Sequence, residues 1–547
     1  MIGMGNVALD VLGRAPTTVT ANVSRVAPGA RARPLLRRRR ITLLGVLAAA
    51  VFLPLLGRAP ISDHEARVMF TALAMSDAGW PWHATALSVR VPALTPGKVT
   101  AGAEASAGHV ITVNPWVVPV FESQVRLQKP PLPYWCTAIL FRLLGPDAQW
   151  ARLIPAAMAV VSTLLLFDLA RLLLGRRRAW LAALVWVSTY FVIDEFRESM
   201  ADPYLAFAAL AAVWAWVRAS EQRPAIGNTA PRRTPIRALV VLFYICCGLG
   251  LLAKGPVVLL HVVVPVVLYA LLYGRRPPGA WRAHALGAAL MLAVALPWPL
   301  MVLRHVDGAI ALWWYESLGE FTVNRRNARP WWFYLPQLPL LALPWVVPCA
   351  LGAARGWPRQ RGAWRRRALA PAWLIALALV FSLAQMKKNA YLLPVMPAQC
   401  LMAATGLNSL IARYRLRRTR PGAQWVLFGQ AAAAMGLACV VTVLLFVHRP
   451  HSRFIPTAEQ ITIGALAMMI GVTVLLMRAG RDGGRLVVAQ AVAFALLTAM
   501  LIDFPAAAHA RPHEENRLPV RGTASVGTGA NAARLVWRGA PSYDPSP

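Results

Sequence analysis

Apolar runs recur along the chain, separated by short basic segments. Residues 41–56, 153–174, 368–383 and 426–447 each approach or exceed the roughly 20 residues that a helix needs to cross a hydrocarbon core. Backbone groups inside lipid have no water to bond, so these runs are predicted to be helices. The basic segments lie at 37–40, 176–178, 232–237, 275–282, 355–367, 413–420 and 478–485. If all of them stay in the cytoplasm, each successive pair must be joined by one outward and one inward crossing. That parity decides how residues 132–144 are read. They are apolar enough to pass for a span, but a crossing there would put Arg176 to Arg178 on the wrong side. They are therefore predicted to be a short helix at the periplasmic interface, inside a long first loop from about 58 to 151. The expected total is about thirteen spans. A second long periplasmic loop runs from about 304 to 335, and loops of that length are often functional. Residues 84–113, rich in Ala, Gly and Val, read as an insertion in the first loop.

Composition agrees with this pattern. Of 547 residues, 58% are hydrophobic and 14% charged, with a mean hydropathy of +0.51, which suits a bilayer protein rather than a string of soluble domains. The net charge of +35 resides in the loops between apolar runs. No helix-turn-helix or aromatic-studded basic strand accompanies it, which argues against nucleic acid as a partner. The six cysteines are scattered and form neither a metal quartet nor a disulfide framework. Arg37 to Arg40 resemble the start of a signal peptide, but no small-x-small cleavage site follows before Pro60. An uncleaved first span is expected, after a flexible cytoplasmic leader.

The placement of charge narrows the function. A transporter is expected to bury ionisable groups along a path through the bilayer. Here Asp168 maps near a cytoplasmic end, whereas Asp63, Lys129, Asp194, Glu195, Arg197, Asp202, Lys254, Lys387 and Lys388 map to periplasmic ends. Acidic and basic groups gathered at one face suit chemistry on lipid headgroups or lipid phosphates. A transporter or flippase of lipid-linked sugars is the alternative.

Within that face, Ser62-Asp63-His64-Glu65 has capping-box spacing, which accounts for Ser62 and Glu65 as a helix start. Asp63 and Arg67, one turn apart, remain able to meet a substrate together. Lys129-Pro130-Pro131 holds a lysine beside a helix N-terminus, a setting for phosphate as much as for an interfacial anchor. Asp202-Pro203 and Lys254-Gly255-Pro256 lie at helix ends, and periplasmic lysines run against the usual charge bias. His305 and Glu316 accompany Trp313, Trp314 and Tyr315 in the second long loop, where an aromatic belt is the default reading. No His/Glu spacing suggests a metal, and there is no glycine-rich nucleotide fingerprint.

Several of these pieces resemble the bacterial branch of the protein O-mannosyltransferase family that includes the lipid A aminoarabinose transferases. They are Asp63-His64-Glu65-Ala66-Arg67, Trp116-Val117-Val118-Pro119 leading to Arg126-Leu127-Gln128-Lys129-Pro130-Pro131, Ala151-Arg152-Leu153-Ile154-Pro155, Arg197 with Asp202, Lys254-Gly255-Pro256, Pro330-Trp331-Trp332, and Lys387 with Tyr391-Leu392-Leu393-Pro394. Val68 and Ser317 stand where the family commonly has Tyr and Asn. The resemblance implies an all-α polytopic membrane protein with the C-type glycosyltransferase fold. It implies an inverting transfer from a polyprenyl-phosphate sugar to a lipid or glycolipid acceptor such as lipid A, on the periplasmic side of the inner membrane. Because a nearby set of cations can replace a divalent metal at the leaving phosphate, no metal and no cofactor are expected. Asp63 and Asp202 would be the catalytic acids. Arg67, Arg126, Lys129, Lys254, Lys387, Tyr391 and Glu65 would line the substrate site. The expected divisions are a basic leader at 1–40, a glycosyltransferase membrane domain at 41–410, further transmembrane helices at 411–503 and a periplasmic tail at 504–547.

Overall fold

The computed structural model describes residues 29–57, 59, 61–91, 109–222, 235–314, 328–356 and 364–415. The expected span at 426–447 and the tail from 504 lie outside them. The chain divides between Leu43 and Leu44 into two units, and the candidate site lies in the second.

Helix α1 is Gly29–Phe52 and α2 is Asp63–Ala78. Four short strands follow: β1 (Leu87–Val91), β2 (His109–Val113), β3 (Val120–Phe121) and β4 (Gln124–Val125). Then come α3 (Leu132–Leu144), α4 (Ala148–Leu174), α5 (Arg176–Val187), α6 (Tyr190–Phe196), α7 (Ala201–Ser220), α8 (Ile236–Lys254) and α9 (Val257–Tyr273), with further helices to Arg415. Four helices among the described residues are long and apolar enough to cross a membrane, or up to six if each of two bent pairs counts as one span. The protein is a multi-pass membrane protein. Helix α3, with 13 residues, reaches about 20 Å at about 1.5 Å per residue, short of a hydrocarbon core about 30 Å thick. It packs instead against α2 through a cluster containing Val68, Met69, Ala72, Tyr134, Ala138 and Phe141.

The all-α expectation needs one local correction. The apparent insertion in the first loop contributes β1 and β2, antiparallel with Val89 opposite Ile111, to a four-stranded sheet of order β2-β1-β4-β3. Alternation drives it: Val89, Val91 and Val113 are buried while Arg90 faces outward. These valines pack with Leu127, Trp298, Val302 and Leu312, so the sheet is anchored to the helical body.

Contacts at both ends of α4 and α7 show that the two helices run parallel. Arg152, near the start of α4, shares Glu65 with Ser199, just ahead of α7. Asp168, near the end of α4, binds Arg218 near the end of α7. Leu205, Ala209 and Ala212 of α7 belong to a buried cluster against which Leu165 of α4 packs. The pair thus carries one charged cluster at each end.

Candidate active site

Helix α2 starts because Ser62 is extended (φ −75°, ψ 157°) and its hydroxyl accepts the Glu65 N–H at 3.3 Å. Only that half of the capping box forms. The Glu65 carboxylate is 1% exposed and accepts Arg152 Nε and Nη2 at 2.6 Å each, and the Ser199 N–H at 2.7 Å. Arg152 spends its remaining reach on the Leu56 and Ala59 carbonyls, both at 2.8 Å. A carboxylate removed from water requires this many donors. Glu65 is therefore corrected from a substrate contact to a latch joining α2, α4 and the approach to α7. Arg197, also buried, donates to the Val51, Phe52 and Pro54 carbonyls and closes the end of α1.

The second acid, Asp202, lies in the first turn of α7 and is 5% exposed. It forms an ion pair with Lys254, whose ammonium also sits 4.8 Å from the Tyr391 ring centroid. Lys254 is the last residue of α8. Gly255 follows with φ +79°, which only glycine adopts without strain, and the chain turns at once into α9. At Gly250 a Cβ would overlap Val258, so the two helices approach closely just behind this lysine. The lysine is thus delivered to Asp202 by a glycine turn, and both Lys254 and Tyr391 are engaged with the protein itself.

Asp63, His64 and Arg67 are exposed on the first turns of α2. His64 Nε2 lies 3.5 Å from Lys388 Nζ, a residue 324 positions away. Burial, aided by the charges of Lys388, Arg67 and Arg126 and opposed by Asp63, holds the imidazole pKa below its usual value. Arg126 is half-buried, donates from Nε to the Tyr134 hydroxyl at 3.1 Å and lies over the Phe121 and Tyr134 rings. Lys129 precedes the Pro130-Pro131 start of α3 and is half-buried. The loop carrying both is pinned where the Trp313 indole donates to Leu127 O at 3.0 Å, and the turn ahead of β3 where the Trp298 indole donates to Val117 O at 2.8 Å. Trp313 is a clamp on that loop, whereas Trp314 is exposed. Tyr315 and Glu316 lie outside the described residues, and His305 Nδ1 contacts only the Met301 carbonyl of its own helix region.

Lys387 is the second correction. It is 6% exposed and its ammonium donates to the Arg329 carbonyl at 2.9 Å and to the Ala384 carbonyl. It ties the segment after helix Trp364–Leu383 to Arg329, ahead of the turn Trp331–Phe333. Its neighbour Lys388 is extended (φ −128°, ψ 146°), so the two side chains leave on opposite sides. Lys388 is exposed, toward His64.

Sequence reasoning placed Lys388 at a periplasmic end and His64 in the first motif without giving either a role, and it did not single out Ser199, Glu198 or the pairing role of Arg152. Arg152 had a signal: an arginine opening an otherwise apolar helix needs an acidic partner. Glu198, between α6 and α7, is pushed up to about 8 by burial first and then by Glu65, Asp194 and Asp202, with Arg152 opposing. Among the described residues no three His, Cys, Asp or Glu side chains converge as a metal set.

Comparison with known proteins gives similarities of sequence and of fold. Residues 128–300 match the family described as dolichyl-phosphate-mannose-protein mannosyltransferase, a region that holds Lys129, Asp202 and Lys254. The chain is 31% identical over 314 residues to the undecaprenyl phosphate-α-4-amino-4-deoxy-L-arabinose arabinosyl transferase of Aeromonas salmonicida, covering 55% of this chain and 54% of that one. It is 33% identical to a counterpart from Sodalis glossinidius, covering 54% and 52%. The chain spans about half the length of these curated relatives. The crystal structure of ArnT from Cupriavidus metallidurans bound to undecaprenyl phosphate superposes with a TM-score of 0.62 at 22% identity, covering 86% of this chain and 78% of that one. That likeness establishes the fold. The sequence matches add that, over about half of its length, the chain is similar to undecaprenyl-phosphate aminoarabinose transferases.

Proposed function

We propose that this protein transfers a sugar from a polyprenyl-phosphate donor to a lipid or glycolipid acceptor on the periplasmic face of the bacterial inner membrane. The relatives' names favour undecaprenyl phosphate as the carrier and an aminoarabinose as the sugar, and lipid A is the acceptor we favour. The observation that carries the reading is the group of charges that acts on His64 at the start of α2: the exposed Asp63 together with Arg67, Arg126 and Lys388.

In the proposed reaction an acceptor oxygen attacks the sugar C1 and the polyprenyl phosphate departs with inversion. Asp63 orients an acceptor phosphate or takes the proton of an acceptor hydroxyl, a contribution of about 10²–10⁴ in rate for a positioned base. The leaving phosphate gains negative charge as the bond breaks, and Lys129 and Arg67 offset it from fixed positions. Asp202 acts through Lys254, which it holds beside Tyr391. The cations make the transfer independent of a metal or soluble cofactor in this proposal, so a chelator should leave it unchanged.

The test is direct. Purified full chain, given undecaprenyl-phosphate aminoarabinose and lipid A, should yield lipid A heavier by one sugar in mass spectrometry, with free undecaprenyl phosphate as co-product. Absence of both products, in a preparation that unfolds cooperatively on heating, would reject the reading.

A further inference from the structure

A histidine inside an apolar helix needs a partner, because burying a polar group and leaving it unbonded opposes folding. His261 is the fifth residue of α9, in the run Val257-Val258-Leu259-Leu260-His261-Val262-Val263-Val264. Its side chain is fully buried, at 0% exposure, and neither ring nitrogen has a hydrogen-bond partner among the described residues. The ring stacks on Phe381 of helix Trp364–Leu383, with centroids 5.0 Å apart and planes 23° from parallel. Stacking occupies the face of the imidazole. Its nitrogens bond in the plane of the ring and are left unmet.

The charges that act on His261 are those of Lys254 and Asp202. It follows Lys254 closely in the chain, after the Gly255 bend and the first turn of α9. A run of rings joins the two side chains by a second route. Phe381 lies 6.0 Å from Tyr391, whose ring centroid lies 4.8 Å from the Lys254 ammonium. Lys254 carries three N–H donors and gives one of them to Asp202 Oδ1. A neutral imidazole offers one N–H and one lone pair. Water matches this set, since it both donates and accepts, and a buried water typically makes about three hydrogen bonds to polar groups that lack other partners.

We propose that His261 holds a small internal water cluster against the Asp202–Lys254 pair and is thereby a positioning residue for the transfer. The Lys254 ammonium donates to a water that donates in turn to the imidazole lone pair, and the imidazole N–H donates back into the cluster. Lys254 is then fixed from three sides, by Asp202, by the Tyr391 ring and by the water. Holding the charge in one place matters because a misplacement of about 1 Å can cost on the order of 100-fold in rate. The proposal rests on the reading of the protein as a polyprenyl-phosphate-sugar transferase.

Two substitutions separate this role from packing. His261→Phe keeps the stack on Phe381 and discards both nitrogens, whereas His261→Gln keeps a donor and an acceptor and discards the ring. The full chain is assayed with undecaprenyl-phosphate aminoarabinose and lipid A, and rates are expressed per folded molecule. His261→Phe should lose about tenfold in kcat, with KM within about twofold of wild type. Its unfolding temperature should be no lower than wild type, because an apolar ring of similar shape leaves no buried nitrogen unmet. His261→Gln should transfer faster than His261→Phe despite the lost stack. A histidine that only packs would give the reverse order. Independently of activity, a density map of the wild-type chain in nanodiscs, fine enough to show ordered water, should place a water about 3 Å from an imidazole nitrogen. Wild-type turnover in His261→Phe, a loss in His261→Gln as large as in His261→Phe, or a map without that water would each overturn the proposal and leave the transferase reading intact. No transfer by wild type would remove that reading and this proposal with it.

Discussion

The two ends of the parallel α4–α7 pair hold similar residues in different states. At the far end, Asp168 has both carboxylate oxygens occupied: Oδ1 by Arg171 at 2.6 Å and Oδ2 by Arg218 at 2.8 Å and the Trp214 indole at 3.1 Å. Its charges close on themselves across two helices. At the near end the buried pairs are likewise closed, Glu65 on Arg152 and Asp202 on Lys254, yet a second tier of exposed groups, Asp63, His64, Arg67 and Lys388, stands in front of them. A closed cluster fastens helices. A closed cluster carrying an exposed, cation-rich tier fastens helices and presents charge to a ligand. That difference is the reason the proposed function is assigned to the α2 end, although acidic and basic residues occur at both.

The sharpest way to break this comparison is to attack the near-end latch. Glu65→Gln leaves Arg152 buried without its counter-charge and should destabilise the protein by about 3–5 kcal/mol, seen as a lowered unfolding temperature in detergent. Arg152→Met should do the same. Asp168→Asn should cost less, about 1–2 kcal/mol, because Asp168 and its arginines are 24–33% exposed and water screens what remains. A larger loss at Asp168 than at Glu65 would invert the assignment of the tighter latch.

Next in size are the donor contacts. Lys129→Ala should weaken donor use more than Lys129→Arg, by several-fold in KM, with folding unchanged, because a single phosphate contact depends on charge more than on shape. Lys387→Met should instead lower the unfolding temperature, since its ammonium ties two backbone carbonyls. A Lys387 variant that kept its stability and lost donor affinity would restore it to the site.

The smallest expected effect is a pH slope. The Glu198 carboxyl titrates near 8 in the folded protein and near the ordinary carboxylate value when unfolded. The folded state therefore binds more protons across that window, and its contribution to stability is full below the unfolded value and declines as pH rises toward about 8. Glu198→Gln should flatten the fall in unfolding temperature between about pH 5 and 8 relative to wild type. Parallel curves for the two proteins would show that Glu198 ionises normally.

Much of this architecture was legible in the sequence because it rests on local rules. The apolar run at 132–144 marked a short helix, the Ser62 cap predicted the start of α2, and Lys254-Gly255-Pro256 announced a lysine at a helix end. What was not legible depends on contacts between distant segments. Nothing around Glu65 names Arg152, 87 residues later, as the partner that takes its carboxylate away from the capping box. Adjacent lysines at 387 and 388 look equivalent until an extended backbone sends them to opposite sides. The sheet was missed because β1 and β2 are five residues each, and one of them acquires its meaning only by pairing with the other across residues 92–108.

The central claim, that transfer chemistry resides at the α2 end and not at the equally charged far end, is tested most directly by comparing turnover of Asp63→Asn and Asp168→Asn, each expressed per folded molecule. Asparagine preserves size and capping at position 63, so stability there should hold within a few tenths of a kcal/mol. The account predicts that Asp63→Asn loses on the order of 10²-fold or more in sugar transfer while folded normally, and that Asp168→Asn transfers at close to the wild-type rate despite its lower unfolding temperature. Near-wild-type transfer by Asp63→Asn, or a loss of that size in folded Asp168→Asn, would contradict it.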